Sequence, residues 1–161
     1  MSYHVKRKDK EITDVQLLKK VLKETKYVTI AMSKDGVPYL VSLSHGYDED
    51  RNCLYFHCAS EGKKLDYIRS TNVVWGQALL DYGYAEGKCD HLYASVHFRG
   101  KVALLDDIGE KRSAIEFMMN QLDRKPRKLI AGINTERLKG TTIGRIDIEY
   151  ISGKKSKTVT V

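Results

Sequence analysis

Apolar positions along the chain change their period several times, and those changes predict its elements. Between Ile12 and Thr25, Val15, Leu18 and Leu22 recur at three- and four-residue steps, with Val21 beside them and lysines opposite. That spacing predicts an amphipathic helix, capped by Thr13 or Asp14. From Tyr27 to Ser33 the period falls to two, with Val28, Ile30 and Met32 on one face. Asp35-Gly36 is a strong hairpin signal. Val37 to Ser44 then returns as a second strand, with Val37, Tyr39, Val41 and Leu43 on one face. A polar turn at Asp48–Asn52 leads into a third strand, Cys53 to Cys58. There Leu54 and Phe56 share one face, Tyr55 and His57 the other.

The alternation then breaks. Leu65 and Ile68 suggest a short helix within Ser60 to Ser70, and Val73 to Leu80 reads as a strand. Leu92 to Leu104 is a longer strand bent at Gly100, with Tyr93, Ser95, His97 and Arg99 on an unusually polar face. This face either lines a site or an interface, or is an ordinary solvated one. Asp107 to Leu122 carries a helical stripe of Ile108, Ile115, Met118 and Leu122, and Lys125-Pro126 ends that helical region. Thr142 to Ser152 is a final strand, with Ile146, Ile148 and Tyr150 alternating. Six strands with short hairpins and few crossover helices predict a mainly β, antiparallel, nearly closed barrel rather than a doubly wound sheet.

Length adds one bound: 161 residues suit a single domain spanning 1–161. The net charge of +7 favours anionic partners. The densest basic runs, His4–Lys10 and Lys154–Lys157, fall in tails at about 1–10 and 153–161, where solvated ends are the simpler reading. The strands alternate apolar with neutral polar residues and lack the exposed aromatics interleaved with cations that a nucleic-acid groove needs. Neither a membrane span nor the apolar segment of a secretory signal is present, so a cytoplasmic location is expected. Cys53, Cys58 and Cys89 are an odd set without a CxxC pair, which predicts reduced thiols. Cys89-Asp90-His91 falls short of a zinc site, so no metal is expected.

The segment Leu54-Tyr55-Phe56-His57-Cys58-Ala59-Ser60-Glu61-Gly62-Lys63-Lys64-Leu65 carries the candidate chemistry. It reads as a strand, a Ser/Gly turn and a helix start. Free amides at a helix N-terminus favour an anion such as phosphate. Two lysines there oppose the helix dipole, a cost that bound phosphate would reverse. Solvated lysines and a packed histidine are the plainer alternatives.

These segments resemble the pyridoxamine 5′-phosphate oxidase-like FMN-binding split-barrel superfamily, and within it the branch of the 5-nitroimidazole-resistance proteins. The resemblance rests on "LYFHCASEGKKLDYIRSTNVVW", "YASVHFRGKVALLDD" and "PYLVSLSHGYDED", in that family's order. It implies a six-stranded antiparallel split β-barrel working as a homodimer, with FMN at the subunit interface. FAD and haem are the alternative cofactors. By the same resemblance, Lys63 and Lys64 meet the phosphate with Ser60, and His57 lies beside the flavin. Val41, Ser42 and Leu43 present backbone groups to the ring, while Tyr93 and Ser95 approach from the long strand across the interface. The implied activity is an oxidoreductase acting on a small organic molecule, for which a nitroaromatic is one candidate. A carrier or sensor without turnover is the alternative. The "R-x-V-L-L-K" strand and the C-terminal arginine motif of the true pyridoxamine phosphate oxidases are missing, which argues against vitamin B6 oxidation.

Overall fold

The computed structural model describes residues 5–161. The first four residues of the basic N-terminal tail, His4 among them, lie outside the described residues. A first helix, α1 (Val15–Glu24), follows a short 3-10 turn, and its cap is Asp14, whose Oδ1 accepts from the Gln16 amide at 2.8 Å. Leu18, Val21 and Leu22 are buried, but Val15, the first residue of the helix, stands exposed.

Seven strands follow rather than six: β1 (Tyr27–Lys34), β2 (Val37–Ser44), β3 (Gly46–Asp48), β4 (Cys53–Cys58), β5 (Val73–Ala85), β6 (Asp90–Leu104) and β7 (Thr142–Lys155). The extra one, β3, has three residues, too few to show a period, and absorbs the first residue of the expected Asp48–Asn52 turn. The strands form one antiparallel sheet in the order β2-β1-β5-β6-β7-β4-β3. The sheet curls until β2 meets β4, leaving a split rather than a continuous ladder between them.

Alternation places the core as expected. Val28, Ile30, Met32, Leu54, Phe56, Ala94, Val96 and Phe98 all fill the barrel interior. The bend at Gly100 coincides with a bulge, where the pairing to β7 jumps from Tyr150 to Ile148. Any side chain at Gly100 would place its Cβ 2.5 Å from the Asp147 carbonyl oxygen.

Five helices dress this barrel. Besides α1 they are α2 (Lys63–Ser70), α3 (Ile108–Leu122), α4 (Pro126–Ala131) and α5 (Thr135–Lys139). Pro126 starts a helix instead of ending the helical region, because its missing N–H costs nothing at the first helical position. The outer face of β4 packs under α3, where Cys53, Tyr55, Ala114, Met118 and Ile143 form a second, smaller core. The C-terminal tail is not a free basic end. The Ser156 hydroxyl donates to the His91 carbonyl at 2.9 Å and accepts from the Tyr93 amide at 3.2 Å, and Val159 is buried.

Candidate functional site

The turn after β4 positions the first group of candidate residues. Ser60, Glu61 and Gly62 are exposed, and Gly62 adopts φ +128°, a conformation that L side chains rarely reach. Gly62 then serves as the helix cap: its carbonyl accepts from the Leu65 and Asp66 amides at 2.9 and 3.2 Å. No side chain caps the start of α2, so its first amides remain available.

Both lysines stand at that uncapped end. Lys63 Nζ lies 4.7 Å from the Tyr39 ring centroid and 5.6 Å from that of Tyr67, whose rings are themselves 5.1 Å apart. Lys64 leans back over Phe56, at 5.9 Å, and its charge opposes the upward push that burial gives the Cys58 thiol. Among the described residues neither lysine has a carboxylate partner, whereas many other cations of this chain do. Two ammonium groups outside any ion pair thus stand at a helix N-terminus, with Asp66 the acid of its first turn.

Tyr39 ties this corner to β2, the free edge of the sheet. Val41 is half-buried, Leu43 is buried, and Ser42 faces outward, its hydroxyl 3.0 Å from that of Thr29. Because β2 pairs only with β1, alternate backbone N–H and C=O groups along Val41–Leu43 have no strand partner. A planar heterocycle with donors and acceptors at its rim could use them.

The remaining candidates lie on other surfaces. Tyr93 and Ser95 share the outer face of β6, opposite the barrel core, with His97. There His97 Nε2 contacts Gln77 Nε2 at 3.0 Å, and burial, followed by the nearby Lys154, lowers its pKa. This outer face also presents Leu40, Trp75 and Leu79, exposed by 64%, 36% and 43%. Trp75 meets Tyr150 edge-on at 5.8 Å. Leu40 joins the patch to the β2 edge, so the two surfaces are continuous. Thr29, Gln77 and His97 are interleaved with these apolar side chains.

His57 is placed differently again. It lies on the α3 side of β4 and lines a cavity with residues of α3, α4 and α5, while its neighbours Phe56 and Cys58 face the barrel core. Within one chain, therefore, the lysine corner and β2 edge come together, while Tyr93 and Ser95 occupy the outer face and His57 the helical side. Sequence reasoning missed Tyr39 and Tyr67. Tyr67 could have been found from its four-residue step after Lys63 on one helix face.

Among the described residues no group of three His, Cys, Asp or Glu side chains could hold a metal ion. No helix among them is long and apolar enough to cross a membrane.

Comparison with known proteins places these features in a lineage. No relative is found among curated protein sequences. Among solved structures, a Bacteroides thetaiotaomicron protein described as a 5-nitroimidazole antibiotic resistance protein superposes with a TM-score of 0.77. The two are 22% identical over 89% of this chain and 85% of that one. A FAD- and haem-binding protein from Mycobacterium smegmatis matches with a TM-score of 0.78 at 16% identity, over 94% of this chain and 76% of that one. A FAD-binding protein from Mesorhizobium loti matches with a TM-score of 0.64 at 24% identity, over 89% and 95%. These likenesses show the fold. The profile of the pyridoxamine 5′-phosphate oxidase family matches residues 14–155, nearly the whole chain, and the protein belongs to that family.

Proposed function

We propose that this protein binds a flavin, FMN, between two copies of itself and uses it as an oxidoreductase on a small organic molecule. The observation that carries this reading is the corner where an unpaired strand edge meets an uncapped helix start bearing two lysines outside any ion pair. A flavin mononucleotide needs both features, for it joins a dianionic phosphate to a planar ring with polar edges. Lys63, Lys64, Ser60 and the first amides of α2 would hold the phosphate. The open backbone of Val41, Ser42 and Leu43 would meet the ring.

The second copy follows from what one chain lacks. Ser60 and Lys63 are exposed at the corner, and so are Leu40 and Leu79 on the outer face. Pairing two chains through Leu40, Trp75 and Leu79 would close the corner and bring Tyr93 and Ser95 toward the flavin of the partner. When bound, the flavin supplies the electron transfer, and the protein supplies orientation and positive charge. Glu61 and Asp66 flank the lysines and are exposed, so protons would come from substrate, solvent or one of these carboxylates. Nitroaromatic compounds are the first substrates to try, following the relative assigned to nitroimidazole resistance. The described solved structures that bind FAD, or FAD with haem, make those cofactors the alternatives.

The test is the visible spectrum of freshly purified protein, with chromatography of the ligand released on denaturation. Flavin absorbance with FMN in the released fraction is expected. A Soret band without flavin would overturn the flavin reading in favour of a haem carrier. A colourless protein that refuses added FMN would overturn it outright.

A further inference from the structure

Strands β5 and β6 run on past the rest of the sheet. β1 pairs with β5 only as far as Ala78, and β7 with β6 only as far as Ala94, so residues 79–85 and 90–93 pair as strands with each other alone. The resulting arm exposes Leu79, Tyr82 and Tyr84. A bulge lies within it: the pairing passes from Asp81–Tyr93 to Tyr84–His91, which gives β5 one residue more than β6. That extra residue brings Asp81, Tyr84 and His91 onto one face, the outer face of Tyr93 and Ser95.

The face carries a fixed imidazole. His91 Nε2 lies 2.8 Å from Asp81 Oδ1, and the Gly83 amide donates to the same oxygen at 2.8 Å. These two bonds, that of Gly83 first, hold the Asp81 carboxyl below the usual carboxylate range. The buried Ser156 hydroxyl donates to the His91 carbonyl at 2.9 Å and so fixes the backbone that carries the ring. Tyr84 packs tilted against the imidazole, with 6.4 Å between centroids. With Nε2 committed to Asp81, Nδ1 makes no hydrogen bond among the described residues. An exposed ion pair contributes little to stability, so stability does not account for a carboxylate, a bulge and a buried serine converging on one ring. A carboxylate that orients an imidazole and leaves its second nitrogen free is the arrangement of a general acid–base group.

We propose that His91 of one copy, oriented by Asp81, donates a proton to substrate at the flavin of the other copy; this rests on the reading that two chains enclose the flavin. Tyr93 and Ser95, which dimerisation would bring there, lie two and four residues along the same strand face. Reducing a small organic acceptor by an electron pair also adds two hydrogens. One arrives with the electrons. The other arrives as a proton, when the imidazolium N–H bond breaks and the acceptor's new O–H or N–H bond forms. His91 is left neutral and takes its next proton from solvent. Imidazole is the side chain that exchanges protons near neutral pH, which sets His91 apart from Glu61 and Asp66 beside the lysines.

Proton NMR of the imidazole C–H signals tests the placement without turnover. The His91 signal, identified by its loss in His91→Gln, should shift when FMN is added to saturation. Binding is followed separately by flavin fluorescence, so FMN that binds without moving this signal would overturn the proposal and spare the flavin reading. FMN that does not bind would overturn both. Reoxidation of the photoreduced, FMN-loaded protein then tests the proton step. Duroquinone takes two electrons and two protons, ferricyanide electrons alone. His91→Gln should slow duroquinone about 100-fold, the lower end for general-acid catalysis, and leave ferricyanide and FMN uptake unchanged. Asp81→Asn should give the same split to a smaller degree. In dimers mixed from His91→Gln and Lys63→Ala/Lys64→Ala chains, the one corner that keeps its lysines faces the one remaining His91, so the duroquinone rate should recover. Equal slowing with both acceptors, an unchanged duroquinone rate in His91→Gln, or no recovery in the mixed dimers would overturn the proposal.

Discussion

Replacing Lys64 by Ala should lower flavin affinity while leaving the ligand-free protein as stable as before or more stable. The two effects have separate causes. Lys64 is half-buried at the uncapped start of α2, so a phosphate contact there would be partly shielded from water. A charge-assisted hydrogen bond of this kind contributes about 1.5–3 kcal/mol, which corresponds to a roughly 10- to 150-fold rise in Kd on its loss. Without phosphate, the same ammonium opposes the helix dipole at a cost of about 0.3–1 kcal/mol. Its contact with Phe56, at 5.9 Å, returns little, so removing it should raise the denaturation midpoint slightly. Lys63 differs. It is exposed and lies over both Tyr39 and Tyr67, so Lys63→Ala should cost less affinity and leave ligand-free stability unchanged. Fluorescence quenching of titrated FMN gives the affinities, and urea unfolding of ligand-free protein gives the stabilities. An unchanged Kd in the double variant would refute the phosphate assignment. A large loss of ligand-free stability would show that the lysines hold the fold instead.

Three further outcomes follow from packing, charge and surface. The Phe98 ring lies over Gly76, where an added Cβ would sit 2.1 Å from Cζ, so Gly76→Ala should destabilise by about 1–3 kcal/mol in denaturant titrations; a neutral effect would mean the ring is free to move. Burial lowers the pKa of His45, and its Nδ1 has no partner, so the unfolded chain binds the proton more readily. Stability should therefore be full above the ordinary histidine value of 6.5 and fall as pH drops below it, by at most about 1.4 kcal/mol per unit from this group. His97 contributes in the same direction, so His45→Gln should flatten part of that slope, and an unaltered slope would count against the assignment. Trp75→Glu places a charge in the exposed apolar face and should convert a dimer to monomers in sedimentation without unfolding the chain; a persistent dimer would move the interface elsewhere.

The sheet was legible because a period of two survives any tertiary context. Val28, Ile30 and Met32, or Leu54 and Phe56, can face only one way once one of them is buried. What escaped were features without a period. Gly46–Asp48 is too short to alternate, and Pro126 suits a helix start as well as a stop. Lys111 interrupts the apolar stripe of α3 with a charge that only the carbonyls of Leu138 and Thr141 explain. The lysine corner was half legible. Lysines at a helix start defy the dipole and so draw notice, but the approach of Tyr39 from another strand is a tertiary event that no local pattern records. The cavity beneath α4 and α5 was not legible at all, since the pattern assigns no element between Pro126 and Thr142.

The central claim is that two copies of this chain enclose a flavin, and native mass spectrometry of the protein saturated with FMN tests it most directly. Twice the 18.4 kDa chain mass plus two FMN molecules is the predicted species, and the Trp75→Glu variant should lose the dimer and the flavin together. A single chain that keeps FMN through desolvation would contradict the account, and so would a dimer that carries none.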